Sequence, residues 1–193
     1  MTKNSFVSAN HLQGKLLIAH PRLSRNDWFR KTVVYVYEHS HIFGASGLVL
    51  NIPSKLSVAD LCQEHDIEYP WANEKIYAGG PVTPGNVIML HTGEWHSSNT
   101  GLVSTDYSIT SDYNMFGKIA QGDQPYYWRM FAGVAAWAPG QLEQELEGEP
   151  PFRREHSWLL ADPNDDIMFE TDGDNQWQAA LDLSAKQLFD AWI

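Results

Sequence analysis

The sequence predicts a fold of the α+β class, in which interior strands are flanked by short helices. Its strand-like segments follow one another in runs and do not alternate strictly with helices, which disfavours a doubly wound sheet. Two of these segments, 32–38 and 126–135, are apolar on both faces and rich in β-branched and aromatic residues, as interior strands are. Because no internal repeat or long linker divides the chain, we expect one domain over residues 1–193.

Three short strands are predicted in the first quarter of the chain. They cover residues 15–19, 32–38 and 46–51. Pro21 is expected to end the first strand and Pro53 the third, because proline cannot donate a ladder hydrogen bond. Gly44 and Gly47 are expected to form the tight turn between the second and third strands.

A helix is predicted to begin after Ser57. Ser57 and Asp60, three residues further on, form a capping-box pattern. Side chains of one buried stripe then recur at helical spacing. They are Val58, Leu61, Cys62 and His65. We expect Cys62 to be packed and inert, and a single cysteine excludes an internal disulfide.

The rest of the chain predicts further short strands and helices. The strands cover 76–78, 87–91, 107–110, 126–135 and 158–161, with a polar loop over 93–101. The helices cover 113–120 with Ser111 as its cap, 141–146 after a Pro-Gly break, 176–180 and 185–192.

The formal net charge of −11 is concentrated in the last quarter of the chain. Residues 141–193 carry 3 basic and 13 acidic residues, which we expect to form a solvated face. Such a balance gives little long-range attraction to nucleic acid. Four basic residues nevertheless fall within ten positions and could face phosphates, although a solvated loop is the more ordinary interpretation. They are Arg22, Arg25, Arg30 and Lys31.

No segment of the sequence predicts a membrane anchor or an export signal. No stretch approaches the ~20 apolar residues that a spanning helix needs. Residues 1–10 lack a basic start followed by an apolar core. We therefore expect a cytoplasmic protein that makes no contact with a membrane.

His39 and His41, with Glu38 beside them, offer a candidate metal or catalytic group. Zinc sites need three or four ligands, so this spacing is suggestive but not specific, and hydrogen bonding to the loop backbone is the more ordinary role. We therefore predict no metal and no cofactor. His39 or Glu38 as a general base remains an alternative, although no nucleophile is evident. Ser46 lacks the Gly-x-Ser-x-Gly spacing of a serine hydrolase.

Two further motifs have a structural and a functional interpretation. Gly79-Gly80-Pro81 could present backbone N–H groups to an anion, but a turn with unusual backbone angles is favoured. The aromatic run 126–128 with Arg129 could stack on bases, but core packing is favoured in a strand that is apolar on both sides.

Several blocks of the sequence together resemble the AlgH/YqgE family. They cover residues 17–21, 29–39, 44–53, 79–82, 89–92, 109–112, 133–143, 158–162 and 167–169. The resemblance implies a single domain with a bent, forked, mostly antiparallel sheet folded toward a pseudo-barrel and flanked by short helices. That family lacks an agreed biochemical activity, and one member is named as a transcriptional regulator of alginate synthesis.

The resemblance also implies a set of candidate ligand-binding residues, which we expect to converge on one surface. They are Arg30, Glu38, His39, Asn51, Gly79, Gly80, His91, Trp137, Gln141 and Glu143. Ile52 departs from the basic residue that relatives commonly carry before the proline, so a charged contact there is not expected.

The function that we predict is therefore a non-enzymatic regulatory or ligand-binding protein with no catalytic residue. Its partner is an unknown small molecule or another protein. Two alternatives stay open. One is a transcriptional regulator that contacts DNA through residues 22–31, and the other is a small hydrolase of unknown substrate.

Overall fold

A curled, mostly antiparallel sheet organises the chain, and short helices cover it. The computed structural model describes residues 11–23, 27–71, 74–147 and 157–192. Within these ranges the strands are β1 (Leu16–Ala19), β2 (Val33–Ser40), β3 (Gly44–Val49), β4 (Pro53–Ser57), β5 (Lys75–Ala78), β6 (Val82–Thr92), β7 (Thr100–Leu102), β8 (Tyr107–Thr110), β9 (Trp128–Trp137) and β10 (Trp158–Ala161). The α-helices are α1 (Val58–Glu64), α2 (Asn114–Ala120), α3 (Gln141–Glu147) and α4 (Gly173–Asp190), and Asp166–Glu170 form a π-helical turn before α4.

The sheet forks along β9. The main path runs in the order β10-β1-β2-β3-β9-β6-β8-β7. Residues 130–132 of β9 pair in parallel with β5, whereas residues 135–137 pair antiparallel with β3 on the same side. Gly133 lies between the two halves with φ 75°. The sheet therefore splits at this glycine, as the resemblance implied, into a bent half-barrel in a single α+β domain.

Glycines at the fork allow two backbones to touch. A Cβ atom on Gly80 would lie 2.0 Å from the carbonyl carbon of Val134, and one on Gly79 would lie 2.3 Å from the carbonyl oxygen of Gly133. The amide of Gly79 also donates to the carbonyl of Ala132 at 2.9 Å. These contacts support the structural interpretation of the Gly79-Gly80 motif, because any side chain would push the branches of the fork apart.

Both faces of the sheet are buried, which explains why its central strands are apolar throughout. In β2, Val33 and Tyr35 pack into a cluster beside α4, whereas Val34 and Val36 pack on the opposite face beneath α3. A third cluster joins β6 and β9 to α1 and α2. The predicted interior strand over 32–38 is confirmed by this arrangement.

The N-terminal cap of α1 is confirmed. The amide of Asp60 donates to the Ser57 hydroxyl at 3.2 Å, and the amide of Ser57 donates to the Asp60 carboxylate at 2.9 Å. His65 was wrongly placed in the buried stripe. The helix ends at Glu64, so His65 is the exposed C-cap residue and its ring lies against Tyr113.

Strand predictions based on local composition were wrong at three places. Pro53 begins β4, because among the described strands this one pairs only with β5 and its other edge needs no donor. Residues 100–102 form β7 inside the predicted polar loop, because β8 supplies a pairing partner. Tyr126 and Tyr127 precede β9 and are exposed, so they are not core residues.

Three further details of the prediction change. Gly47 lies inside β3 under the Val34 side chain, and only Gly44, with φ 90°, is in the turn region. The N-cap of α2 is Tyr113, whereas the Ser111 hydroxyl accepts from the Asn99 side chain. The two predicted C-terminal helices are one helix, α4, whose small and amide side chains at Gln176, Ala180 and Ser184 face the sheet.

Candidate functional site

His39, His41 and Glu143 meet at one end of the sheet, and we call these three residues the strand-end cluster. The Nε2 atom of His39 lies 3.0 Å from Oε1 of Glu143, and Nδ1 of His41 lies 3.1 Å from the same oxygen. The two imidazole rings are edge to face, with centroids 5.4 Å apart. One carboxylate oxygen is thus shared by two imidazoles.

A β-bulge in β2 aims His39 at this cluster. The pairing of β2 with β3 shifts register between Val36 and Glu38, so one residue of β2 has no residue opposite it in β3. Strict alternation from Val36 would put Glu38 on the α3 side of the sheet. The extra residue reverses that parity, so His39 faces α3 and Glu38 is exposed on the other side.

Helix α3 brings Glu143 to the cluster and is held by buried partners. Leu142 packs into the hydrophobic cluster beneath the helix. Oε2 of Glu145 accepts from the indole N–H groups of Trp137 and Trp158, at 3.1 and 2.8 Å, and its Oε1 accepts from the Gln141 amide at 3.0 Å. These bonds fix the first turn of α3, and with it the position of Glu143.

Glu145 was missed by the sequence analysis. In the sequence it is one of several acidic residues on a short helix, which usually form a solvated face. The available signal was its spacing of four residues from Gln141, which places both on one side of the helix. Its indole donors lie 8 and 13 residues away, beyond any local pattern.

The partners of its two ring nitrogens assign the tautomer of His39. The backbone N–H of Leu12 can only donate, at 3.5 Å, so Nδ1 of His39 accepts and Nε2 carries the proton that is donated to Glu143. Nδ1 of His41 lies 3.1 Å from the same carboxylate oxygen, a contact that does not assign the tautomer of His41. No described residue is bonded to its Nε2.

The cluster is buried at one side and open at the other. The side chain of His39 is 2% exposed and that of Glu143 is 17% exposed, whereas that of His41 is 58% exposed. In the part of the chain that the structure describes, Glu143 forms no ion pair with a lysine or arginine. Among the described residues, its carboxylate is in contact with the rings of His39 and His41.

Four of the ten predicted site residues share this end of the molecule. They are His39, Trp137, Gln141 and Glu143. His39 and Trp137 flank Ala45 on the neighbouring strands in register. The other six lie elsewhere: Glu38 and Arg30 are exposed, Gly79 and Gly80 are at the fork, and Asn51 and His91 are buried.

The side-chain oxygen and NH₂ group of Asn51 are both hydrogen-bonded to the backbone. Its side-chain oxygen accepts from the amide of Val33 at 3.0 Å, and its NH₂ group donates to the carbonyls of Lys31 and Gly173 at 2.8 and 3.1 Å. The residue joins β2 to the start of α4. As a ligand residue, Asn51 stays a prediction that would require these bonds to break.

Both ring nitrogens of His91 also have hydrogen-bond partners within the protein. Its Nδ1–H donates to the carbonyl of Thr92 at 2.8 Å, and its Nε2 accepts from the hydroxyl of Thr110 at 2.9 Å. The ring packs against the edge of Trp95. Burial lowers the pKa of His91, because the charged imidazolium is disfavoured away from water.

Only some of the four basic residues between positions 22 and 31 are available to contact phosphates. Lys31 forms an ion pair with Asp174 at 2.6 Å, and Arg22 and Arg30 are exposed. Arg25 lies outside the described residues. The DNA-contact alternative therefore stays a prediction that depends on few exposed cations.

Arg129 is a buried cation whose structural role the sequence did not indicate. One terminal nitrogen donates to the carbonyls of Phe169 and Thr171, at 2.7 and 2.8 Å. The guanidinium also lies over the Tyr77 ring, 4.7 Å from its centroid. Burial lowers its pKa. Arg129 thus ties β9 to the π-helical turn and is not available for stacking on bases.

Comparison with known proteins assigns the family. The AlgH-like family, DUF179, matches residues 16–188. The chain belongs to the AlgH-like family. Among its AlgH-like relatives, UPF0301 protein GOX1459 of Gluconobacter oxydans is 36% identical over 174 residues, which is 88% of this chain and 89% of the relative. UPF0301 protein IL2218 of Idiomarina loihiensis is 33% identical over 95% of both chains.

Two solved structures share this AlgH-like fold. The solution structure of the AlgH protein from Pseudomonas aeruginosa matches with a TM-score of 0.74 and 29% identity, over 93% of this chain and 92% of that one. The crystal structure of protein DIP2367 from Corynebacterium diphtheriae matches with a TM-score of 0.68 and 24% identity, over 92% and 89%. The family resemblance and the forked-sheet fold inferred from the sequence are thereby confirmed.

The helices of the described ranges were also compared with the requirements of a membrane span. None of them is both long enough and apolar enough to cross a bilayer.

Proposed function

We propose that this protein is a cytoplasmic, non-enzymatic regulatory protein that binds a small ligand at the strand-end cluster. The observation that carries the proposal is the Glu143 carboxylate, which is mostly buried and whose partners among the described residues are two imidazoles. Removing a carboxylate from water costs several kcal/mol unless hydrogen bonds or an opposite charge offset it. A ligand that brings positive charge or further hydrogen-bond donors would supply the stabilising contacts that the Glu143 carboxylate still lacks.

The surroundings of the cluster support binding in preference to catalysis. Among the residues that the structure describes, no hydroxyl or thiol side chain is bonded to His39 or His41. The Ser40 hydroxyl accepts from the amides of Ile42 and Phe43, and Cys62 is buried in another cluster, where burial raises the pKa of its thiol. Neither group is placed as an activated nucleophile.

A thermal-shift screen tests this proposal. The full chain would be screened against divalent metal ions, nucleotides, acidic and basic metabolites and short DNA duplexes. A ligand that binds the native state raises the melting temperature by mass action, and we expect one class to do so. The shift should disappear in His41→Ala and Glu143→Gln and persist in the matched controls His96→Ala and Glu38→Gln, whose side chains are exposed away from the cluster. A shift of equal size in all four variants would contradict the site.

A small hydrolase is the second candidate, and one observation favours it. Because His41 Nδ1 faces Glu143, its Nε2 is oriented toward solvent as a potential general base. In this candidate mechanism the base would be His41, in place of His39 or Glu38. Turnover of an ester or phosphate substrate by the wild type, lost in His41→Ala with the fold intact, would support it. No turnover on broad panels would count against it.

A further inference from the structure

We propose that the strand-end cluster binds a divalent transition-metal ion of the Zn²⁺ type. The inference rests on the proposed function of this cluster as a ligand site and names its ligand. The ligand atoms would be Nε2 of His39, Nδ1 of His41 and one carboxylate oxygen of Glu143. These atoms all lie within 4.8 Å of one another.

The geometry suits a small ion. Zinc bonds to imidazole and carboxylate are about 2.0–2.2 Å long, so tetrahedral ligand atoms lie roughly 3.4 Å apart. The two distances from Glu143 to the histidines, 3.0 and 3.1 Å, are already close to that separation. His41 is the most exposed of the three, so a rotation of its ring can bring the third distance into range without moving the backbone.

The chemistry of the donors selects the class of metal. Two imidazoles and one carboxylate suit zinc, copper, nickel or iron, whereas magnesium and calcium prefer oxygen ligands. Three protein ligands leave a fourth position for water or another ligand. The side chain of His41 is 58% exposed, so the cluster can be reached from solvent on that side.

The charge balance favours a cation at this place. The Glu143 carboxylate lies between two imidazoles, and no lysine or arginine of the described residues forms an ion pair with it. Binding at Nε2 of His39 requires its proton to move to Nδ1, where it would face the Leu12 amide. That contact is 3.5 Å long, at the limit for a hydrogen bond, so the bond that is given up is a weak one.

The supporting structure holds two of the three ligands in place before a metal binds. The β-bulge fixes the face of His39, and the indole and amide bonds to Glu145 fix the first turn of α3. Such outer partners normally orient the ligands of a metal site. Glu38, the carboxylate adjacent to His39 in the sequence, is on the wrong face to participate.

Calorimetric titration of the untagged full chain with Zn²⁺ tests the proposal. We expect saturable binding of one ion per chain. His41→Ala and Glu143→Gln should each weaken it at least about tenfold. The controls Glu38→Gln and His96→Ala should leave it unchanged. Far-UV circular dichroism and urea midpoints of all four variants would show that a loss of binding is not a loss of fold.

Titration with Co²⁺ provides a second readout, because a tetrahedral site gives strong visible absorption that the Glu143→Gln variant should lose. Absence of saturable Zn²⁺ binding, or equal affinity in Glu143→Gln, would overturn the metal site. If another ligand class then gave a cluster-dependent thermal shift, the metal would be wrong and the proposed binding function would stand. If no ligand gave such a shift, both would fail.

Discussion

His91 and the strand-end cluster contain similar groups but differ in how completely the protein satisfies them. His91 is fully buried, and each of its ring nitrogens has a partner with which it forms a good hydrogen bond. In the cluster, two rings compete for one carboxylate oxygen, and Nε2 of His41 has no partner among the described residues. Both lie where an apolar strand gives way to polar residues. Position at a strand end is therefore a poor guide to function. A polar side chain whose atoms lack hydrogen-bond partners within the protein is a better guide to a binding site.

The same contrast separates the rest of the predicted site. Asn51 and the fork glycines resemble His91, because folding already uses their polar atoms or their lack of a side chain. Substitutions in such places should damage the fold, whereas substitutions in the cluster should remove binding and leave the fold intact. The following predictions test that division, from the largest expected effect to the smallest.

Arg129→Leu should be the most damaging. It leaves the carbonyls of Phe169 and Thr171 without their donor and removes the cation over Tyr77. We expect the free energy of unfolding to fall by at least about 3 kcal/mol, measured by urea denaturation. The exposed Arg30→Leu should change it by less than about 0.5 kcal/mol. Equal midpoints for both variants would contradict the role assigned to Arg129.

Gly80→Ala should come next, because its new Cβ meets the backbone of Val134 at 2.0 Å. Overpacking of this kind costs about 1–3 kcal/mol, and here the obstacle is backbone that cannot rotate away. Gly85→Ala is the matched control, since a Cβ there meets nothing within 4 Å. The comparison of melting temperatures would fail if the Gly85 variant lost as much stability as the Gly80 variant.

His91 should make stability depend on pH in one direction. Its folded pKa lies below the unfolded value of about 6.5, so the unfolded chain takes up a proton more readily. The contribution of His91 to stability is present above about pH 6.5 and is lost as the pH falls toward the folded pKa, by at most about 1.4 kcal/mol per pH unit. Urea titrations of His91→Gln should show a shallower decline in this acid range than the wild type. An unchanged slope would mean that His91 is not held neutral.

His41→Ala should have the smallest effect on the fold. The side chain is 58% exposed and water can take its place beside the Glu143 carboxylate, so the free energy of unfolding should change by less than about 0.5 kcal/mol. The same variant should lose the ligand-induced rise in melting temperature. A large loss of stability in the absence of ligand would show that His41, like His91, has a structural role.

Much of the fold could be predicted because its signals are local. The interior strand over 32–38 and the Ser57–Asp60 capping box depend on residues a few positions apart, and both are confirmed. β4 and β7 were missed because their strand character comes from pairing partners, not from composition. The fork itself came from the family resemblance, since the pairing of β9 with both β3 and β5 joins distant segments.

The site could be predicted only in part. The pair of histidines was visible in the sequence itself, whereas Glu143 entered the candidate set only through the family resemblance, because it lies 104 residues from His39. Strict strand alternation from Val36 would choose Glu38, and not His39, for the α3 side of the sheet. One extra residue in β2 reverses that choice, and a sequence does not display which residue a bulge leaves unpaired.

The most direct test of the central claim is an NMR spectrum of the histidine ring nitrogens, recorded before and after one equivalent of Zn²⁺. Without metal, His39 should be the Nε2–H tautomer and His91 the Nδ1–H tautomer. With Zn²⁺, the ring signals of His39 and His41 should shift, and the proton of His39 should move to Nδ1, while His91 stays unchanged. Unchanged signals at His39 and His41, or a shift at His91 instead, would contradict the account.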